Sequence, residues 1–328
     1  MSKLANELLH LKDLFINKKF NKIKELSKSL LIKYPESFEI NLIIGTSYLA
    51  NKKPNIALPL LIKANKINPA SSICLLNISI CYKQLKILPE YKKYLDLAYF
   101  NDPDNIEIIC ELGFFHLHVN EINIAISYYE RALKYKINDT KFILNLSESY
   151  LRGGYSLKVI KICLKYIQNG NVNSYVYNSL AVAYKNIGNF INAKLYLKES
   201  IKHSPNYFVA HRNLSSLIDY SINSKHLIQM ESLIKIFPTD IDLNLALSKA
   251  YKDINNKSKY FSHLETANKS KKKDIKFSID IEKNKFYKIK SIFNSFNLEY
   301  LPLRDKQLTP IFILGLPRSG TTLTENII

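Results

Sequence analysis

Tryptophan is absent from the 328 residues, and there are only four cysteines, two methionines and eight glycines. The cysteines, Cys74, Cys81, Cys110 and Cys163, show no Cys-x-x-Cys spacing, so neither a zinc site nor a disulfide framework organises the chain. His116 and His118 stand two apart, which on a helix turns them to different faces. No metal is expected. No apolar run approaches the roughly 18 residues of a membrane span. The start, MSKLANELLHLKDLF, interrupts its apolar residues with Lys, Asn, Glu and His, unlike a secretory signal. No membrane association is expected, and the expected location is cytoplasmic.

Acidic residues are scarce as well: 28 against 47 Lys and Arg, a formal charge of +19. Such an excess invites a nucleic-acid reading. It consists mostly of lysines scattered among Ile and Asn, and only Lys269–Lys276, KSKKKDIK, is a dense basic run. Nucleic acid is therefore not an expected partner. Hydrophobic residues make up 47%, enough for a large core.

What is present is a repeat. Pro35, Pro69 and Pro103 are 34 residues apart, and Pro205 lies 102, or three times 34, beyond Pro103. This is the period of the tetratricopeptide repeat, a pair of antiparallel helices. With proline at slot 32, slot 8 holds Gly45, Ser79, Gly113, Ser147, Ala181 and Ser215. Small residues there let two helix backbones approach. Slot 11 holds Tyr48, Tyr82, His116, Tyr150, Tyr184 and Ile218; slot 20 holds Ala57, Ala125 and Ala193, and slot 27 holds Ala64, Ala98 and Ala132. Val159 and Tyr166 replace alanine in the repeat 140–173, where looser packing is expected. A seventh repeat from Phe208 is one residue short, and an eighth keeps the pattern over Leu245–Lys269.

The expected fold is all-α: a solenoid of seven to eight repeats over residues 4–272, with a concave groove suited to a peptide or partner protein. Slot 6 faces that groove and holds Ile43, Asn77, Glu111, Asn145, Ser179 and Asn213. An asparagine amide offers a donor and an acceptor to an extended backbone. Asn77, Asn145 and Asn213 are thus candidate substrate-binding residues, resembling the asparagine ladder of tetratricopeptide superhelices that thread polypeptides. The alternative is asparagine on a solvated face of an Asn-rich protein.

After Lys273 the register ends. Residues 273–309 read as a joining helix, with Phe286, Ile289, Phe293 and Phe296 at helical spacing and Ser278 or Asp280 as N-cap, followed by a linker. Ile311–Gly315, IFILG, then reads as a buried strand, and Gly315–Thr322, GLPRSGTT, as a loop opening a helix. Strand, glycine loop and helix N-terminus together bind phosphate-like anions through backbone N–H groups. Thr321 stands where the Walker A pattern needs lysine, which argues against nucleotide hydrolysis. Taken alone, the loop is also compatible with a simple strand-to-helix turn whose arginine makes a surface ion pair.

Behind this solenoid and joining helix, Pro310–Ile328 resembles the start of the catalytic domain in bacterial tetratricopeptide-repeat sulfotransferases, a family similar to protein-tyrosine sulfotransferases. The resemblance implies an α/β domain beginning at 310–328 and incomplete in this sequence. It implies that Pro317, Arg318, Ser319, Gly320, Thr321 and Thr322 grip the 5′-phosphate of 3′-phosphoadenylyl sulfate. Arg318 would act catalytically on charge around the departing sulfuryl group, and the acceptor would be a hydroxyl, with protein tyrosine one candidate. The family's general base and 3′-phosphate site find no counterpart in these residues, so the chain as given is expected to be inactive by itself. The competing expectation is a non-catalytic scaffold for protein–protein interaction.

Overall fold

In the computed structural model, which describes residues 3–135, 139–221, 225–274 and 278–295, the 34-residue period becomes a series of helix pairs. They are α1 (Lys3–Ile16) with α2 (Phe20–Lys33), α3 (Phe38–Ala50) with α4 (Pro54–Ile67), α5 (Ser72–Gln84) with α6 (Leu88–Asn101), and α7 (Ile106–His118) with α8 (Ile122–Ala132). Then come α9 (Thr140–Arg152) with α10 (Ser156–Gln168), α11 (Ser174–Asn186) with α12 (Phe190–His203), α13 (Phe208–Ser215) with α14 (Lys225–Ile234), and α15 (Ile241–Asp253) with α16 (Lys257–Asp274). Apart from the last three residues of α16, the pairs belong to the first of two compact bodies, Met1–Lys271. No strand occurs among the described residues.

Slot 34 starts each repeat's first helix. The side chains of Ser37, Ser71, Asn105, Asp139, Asn173 and Asp240 accept from the N–H of Ile40, Cys74, Ile108, Phe142, Val176 and Leu243. Each satisfies an amide that a helix start leaves without a partner, a contribution of about 1 kcal/mol. Tyr207 holds this slot before α13 and supplies no cap. Slot 15 ends the same helices in the left-handed region: Lys18, Lys52, Lys86, Asn120, Gly154, Gly188 and Asn255 all have positive φ. The following N–H returns to the slot 11 carbonyl, as in Lys53 to Tyr48, Ile87 to Tyr82 and Glu121 to His116. This is the Schellman closure.

Slot 8 packs against slot 24 of the second helix. A Cβ on Gly45 would lie 2.8 Å from Leu61 Cγ, and one on Gly113 2.9 Å from Tyr129 Cζ. Leu61, Leu95, Tyr129, Cys163 and Leu197 at slot 24 are all buried against the small slot 8 residues, and the slot 20 and slot 27 alanines are buried too. The first repeat reverses the sizes, with Leu11 at slot 8 and Ser27 at slot 24, both buried. Slot 11 stacks on slot 23: the ring centroids of Tyr82–Tyr94, His116–Tyr128 and Tyr184–Tyr196 are 5.4, 5.4 and 5.6 Å apart.

In the repeat 140–173, Val159 and Tyr166 are buried, and the Tyr166 hydroxyl meets Thr140 Oγ1 at 2.5 Å. The bulk at slots 20 and 27 holds the α9 and α10 backbones further apart than those of α7 and α8 or α11 and α12. An apolar cleft of about 290 Å³ opens beside them, lined by Leu133, Ile143, Tyr150 and Ile162.

In the second body, Lys272–Ile328, the helix expected over this stretch is α17 (Ile279–Ser295). Ser278, rather than Asp280, caps it, with Oγ accepting from Ile281 N at 3.4 Å. Its Phe286, Ile289 and Phe293 are exposed. Phe296, the linker, and the strand–loop–helix at 310–328 lie outside the described residues.

The seventh repeat departs from the pattern. α13 stops at Ser215, where Ser215 and Ser216 hydroxyls donate to the Arg212 and Asn213 carbonyls. The segment beyond is held from α15: Lys249 donates to the Ile218 carbonyl, and Tyr220 N donates to Asp253 at 3.2 Å. Tyr220 closes a buried chain. Its hydroxyl donates to His226 Nδ1 at 2.7 Å, His226 Nε2 donates to His211 Nδ1 at 2.9 Å, and His211 Nε2 donates to the Pro205 carbonyl at 2.8 Å. With both rings neutral, every donor faces an acceptor.

Burial disfavours charging either ring. It holds His211 below the usual histidine range, and with help from His211 and Lys198 it pushes His226 down to about 3. Unfolded, both would titrate near pH 6.5. Stability from this chain is therefore complete above that pH and is lost as pH falls toward 3, because the unfolded state takes up the protons first. His226 alone should withdraw about 2 kcal/mol by pH 5. Thermal midpoints at pH 7.5 and 5 should differ clearly in the parent and less in His226→Gln; equal differences in the two would count against the burial argument.

Candidate functional site

First helices of several successive repeats pack directly on one another, α1 on α3, α3 on α5, α7 on α9, α9 on α11 and α13 on α15. They form the inner wall of the solenoid, and slot 6 lies on it. Asn77 of α5, Glu111 of α7 and Asn145 of α9 line one pocket of about 260 Å³. Leu76, Ile80, Phe114 and Phe142 supply its apolar surface, and Glu107, Asp139 and Lys141 its charged edge.

Tyr129 reaches this pocket from the outer layer. It belongs to α8, yet the missing Cβ of Gly113 lets its ring lie against α7, with the hydroxyl among the pocket residues beside Asn145. The ring is fully buried, and the one polar side chain within reach of its hydroxyl is that of Asn145, in poor hydrogen-bonding geometry. Burial holds the Tyr129 phenol well above the usual range, so it remains a donor at any physiological pH.

Glu111 is nearly buried. Its Oε1 accepts from Lys83 Nζ at 2.6 Å and from the Tyr91 hydroxyl at 2.7 Å. Lys83 in turn sits 3.5 Å from the Phe114 ring centroid, a cation–π contact. Burial lowers the Lys83 pKa against the opposing pull of Glu111. Phe114 also borders a second cleft, of about 580 Å³, lined by Ile87, Leu88, Tyr91 and His118.

Of the three candidate asparagines, Asn77 and Asn145 share this pocket and Asn213 does not. Two have amides already engaged across repeats: Asn77 Nδ2 donates to Thr46 Oγ1 at 3.0 Å, and Asn213 Nδ2 donates to Asn178 Oδ1 at 2.8 Å. The even ladder expected from slot 6 is thus partly spent on holding neighbouring repeats in register. The other candidates, Pro317, Arg318, Ser319, Gly320, Thr321 and Thr322, lie outside the described residues. Sequence reading missed Tyr129, Phe114 and Glu107. Tyrosine at slot 24 opposite glycine at slot 8 was the available signal, since it occurs in this repeat alone.

No protein-family model matches the chain, and no curated protein does. Solved structures do. A chain of the APC/C hetero-tetramer Cut9–Hcn1 is similar at a TM-score of 0.59 and 17% identity, covering 74% of this chain; the match spans 48% of that chain's length. A tetratricopeptide repeat protein from Parabacteroides merdae matches at 0.55 and 14% identity, covering 81% of this chain and 99% of its own. The C-terminal part of a repeat protein from Cytophaga hutchinsonii matches at 0.55 and 16%, covering 73% and 99%. At these identities the likeness concerns the fold, and the helix pairs of this chain form a tetratricopeptide-repeat solenoid.

Proposed function

We propose that the chain is an interaction scaffold whose inner wall binds an extended segment of a partner protein. The observation that carries this reading is a pocket built by three successive first helices, with the fully buried Tyr129 hydroxyl beside Asn145 at its floor. The neighbouring amides of Asn77 and Asn145 supply backbone-like donors and acceptors, and Phe114 and Leu76 supply apolar contact for side chains. No helix among the described residues is long and apolar enough to cross a membrane.

The test is an array of 15-residue peptides of varied sequence, probed with the 328-residue chain. Specific peptides should bind, and Asn77→Ala with Asn145→Ala should weaken them about tenfold, as expected for one to two hydrogen bonds, with stability lowered only by about 1 kcal/mol for the lost Asn77–Thr46 bond. Binding indifferent to both substitutions, or no binding at all, would contradict the proposal.

A second reading rests on the GLPRSGTT loop and its resemblance to sulfotransferases: the repeats present a protein substrate for sulfuryl transfer from 3′-phosphoadenylyl sulfate. Transfer to acceptor peptides by the full product of the gene should be lost in Arg318→Ala. Transfer unaffected by that substitution, or none from the full product, would remove this reading.

A further inference from the structure

The chain carries +19 overall, yet its central pocket is acidic at the edge: Glu107, Glu111 and Asp139 line it against the single cation Lys141. Lys83 pairs with Glu111 Oε1, the oxygen that also accepts from Tyr91, and lies over the Phe114 ring, so Glu111 is neutralised and the unpaired acidic charge is that of Glu107 and Asp139. Asp139 caps α9 through Oδ1, which accepts from Phe142 N at 2.8 Å, so its charge is fixed in place at the rim. Glu107 is exposed on the first turn of α7. Asn77 has its amide nitrogen turned to Thr46, which leaves its carbonyl oxygen as the group available to a guest. The pocket therefore presents acceptors at its rim and the Tyr129 hydroxyl, beside Asn145, at its floor.

Resting on the groove reading above, we infer that this pocket selects a lysine or arginine side chain of the bound segment. Its alkyl stem lies along Phe114, Leu76 and Ile80, and its charged end sits between Glu107 and Asp139. The Tyr129 hydroxyl donates to a backbone carbonyl of the same segment. Long cationic side chains suit this division, since their stems are apolar and only their ends carry charge. Two carboxylates at a half-enclosed rim attract a cation more strongly than they would in open water.

The inference runs against the protein's own field. A chain of net charge +19 with no selective pocket would gather acidic peptides by long-range attraction, so a cationic preference can only come from a local site. The probe is the set of array peptides that bind, resynthesised with each Lys or Arg replaced in turn by Gln, and titrated against the 328-residue chain. One such replacement per peptide should weaken binding about tenfold. Glu107→Gln with Asp139→Asn, which keeps the α9 cap, should remove that discrimination and leave the Gln peptides unaffected. Tyr129→Phe should weaken both peptide series equally. Peptides that bind in an Asn77- and Asn145-dependent way but tolerate every Gln replacement would overturn the cation preference and leave the groove reading standing. Selection of acidic peptides would overturn it as well. Failure of all peptides to bind would overturn both.

Discussion

Everything in the solenoid depends on how closely the two helices of a repeat can approach. That distance is set where slot 8 meets slot 24. Gly45 and Gly113 leave no room for a Cβ against Leu61 and Tyr129, and Ser79, Ser147 and Ala181 keep the same slot small. Interiors pack to near-crystalline density, so the volume one helix gives up must be filled by the other. The first repeat obeys the same rule with the sizes exchanged, Leu11 and Ser27. Once the pairs have a fixed spacing, successive first helices stack into one wall, and slot 6 comes to lie along it.

The pocket is a by-product of that rule taken to its extreme. Glycine at slot 8 and the largest slot 24 residue occur together in one repeat, and there the side chain is long enough to carry a polar atom through to the inner wall. Tyr129 spans both layers: its ring fills the interhelical space, and its hydroxyl reaches the pocket beside Asn145. The neighbouring Glu111 is held and neutralised by Lys83, with Tyr91 donating to the same oxygen, and the acidic charge at this part of the wall comes from Glu107 and Asp139.

Much of this was legible in the sequence. Prolines at 34-residue spacing and small residues at slot 8 marked the repeats, because proline cannot continue a helix and close packing tolerates little bulk. The joining helix was visible in the spacing of Phe286, Ile289 and Phe293. Other features were not. Lys18, Lys52 and Lys86 adopt left-handed backbone although lysine has no preference for it; tertiary context imposes the turn. The His211–His226–Tyr220 chain joins residues brought together only by the shortened α13, which no periodicity announces. Slot 6 singled out Asn77 and Asn145, which line the pocket, but could not show that Asn77 and Asn213 already serve neighbouring repeats, since Thr46 and Asn178 lie in other slots. The slot 34 caps, Ser37, Ser71, Asn105, Asp139 and Asn173, were open to view and would have fixed the helix starts.

A double-substitution cycle on one repeat tests the packing rule most directly. Gly45→Leu alone should destabilise by about 1–3 kcal/mol through overpacking, and Leu61→Ser alone by about 2–5 kcal/mol through the space it opens. Together they recreate the Leu11–Ser27 arrangement of the first repeat, and the pair should cost less than the sum by at least about 1 kcal/mol. The cycle cancels the gain in helix propensity from replacing glycine, which enters the single and the double variant alike. Strictly additive costs would mean that slots 8 and 24 do not set the spacing of the helices, and the account of the wall and its pocket would fall with them.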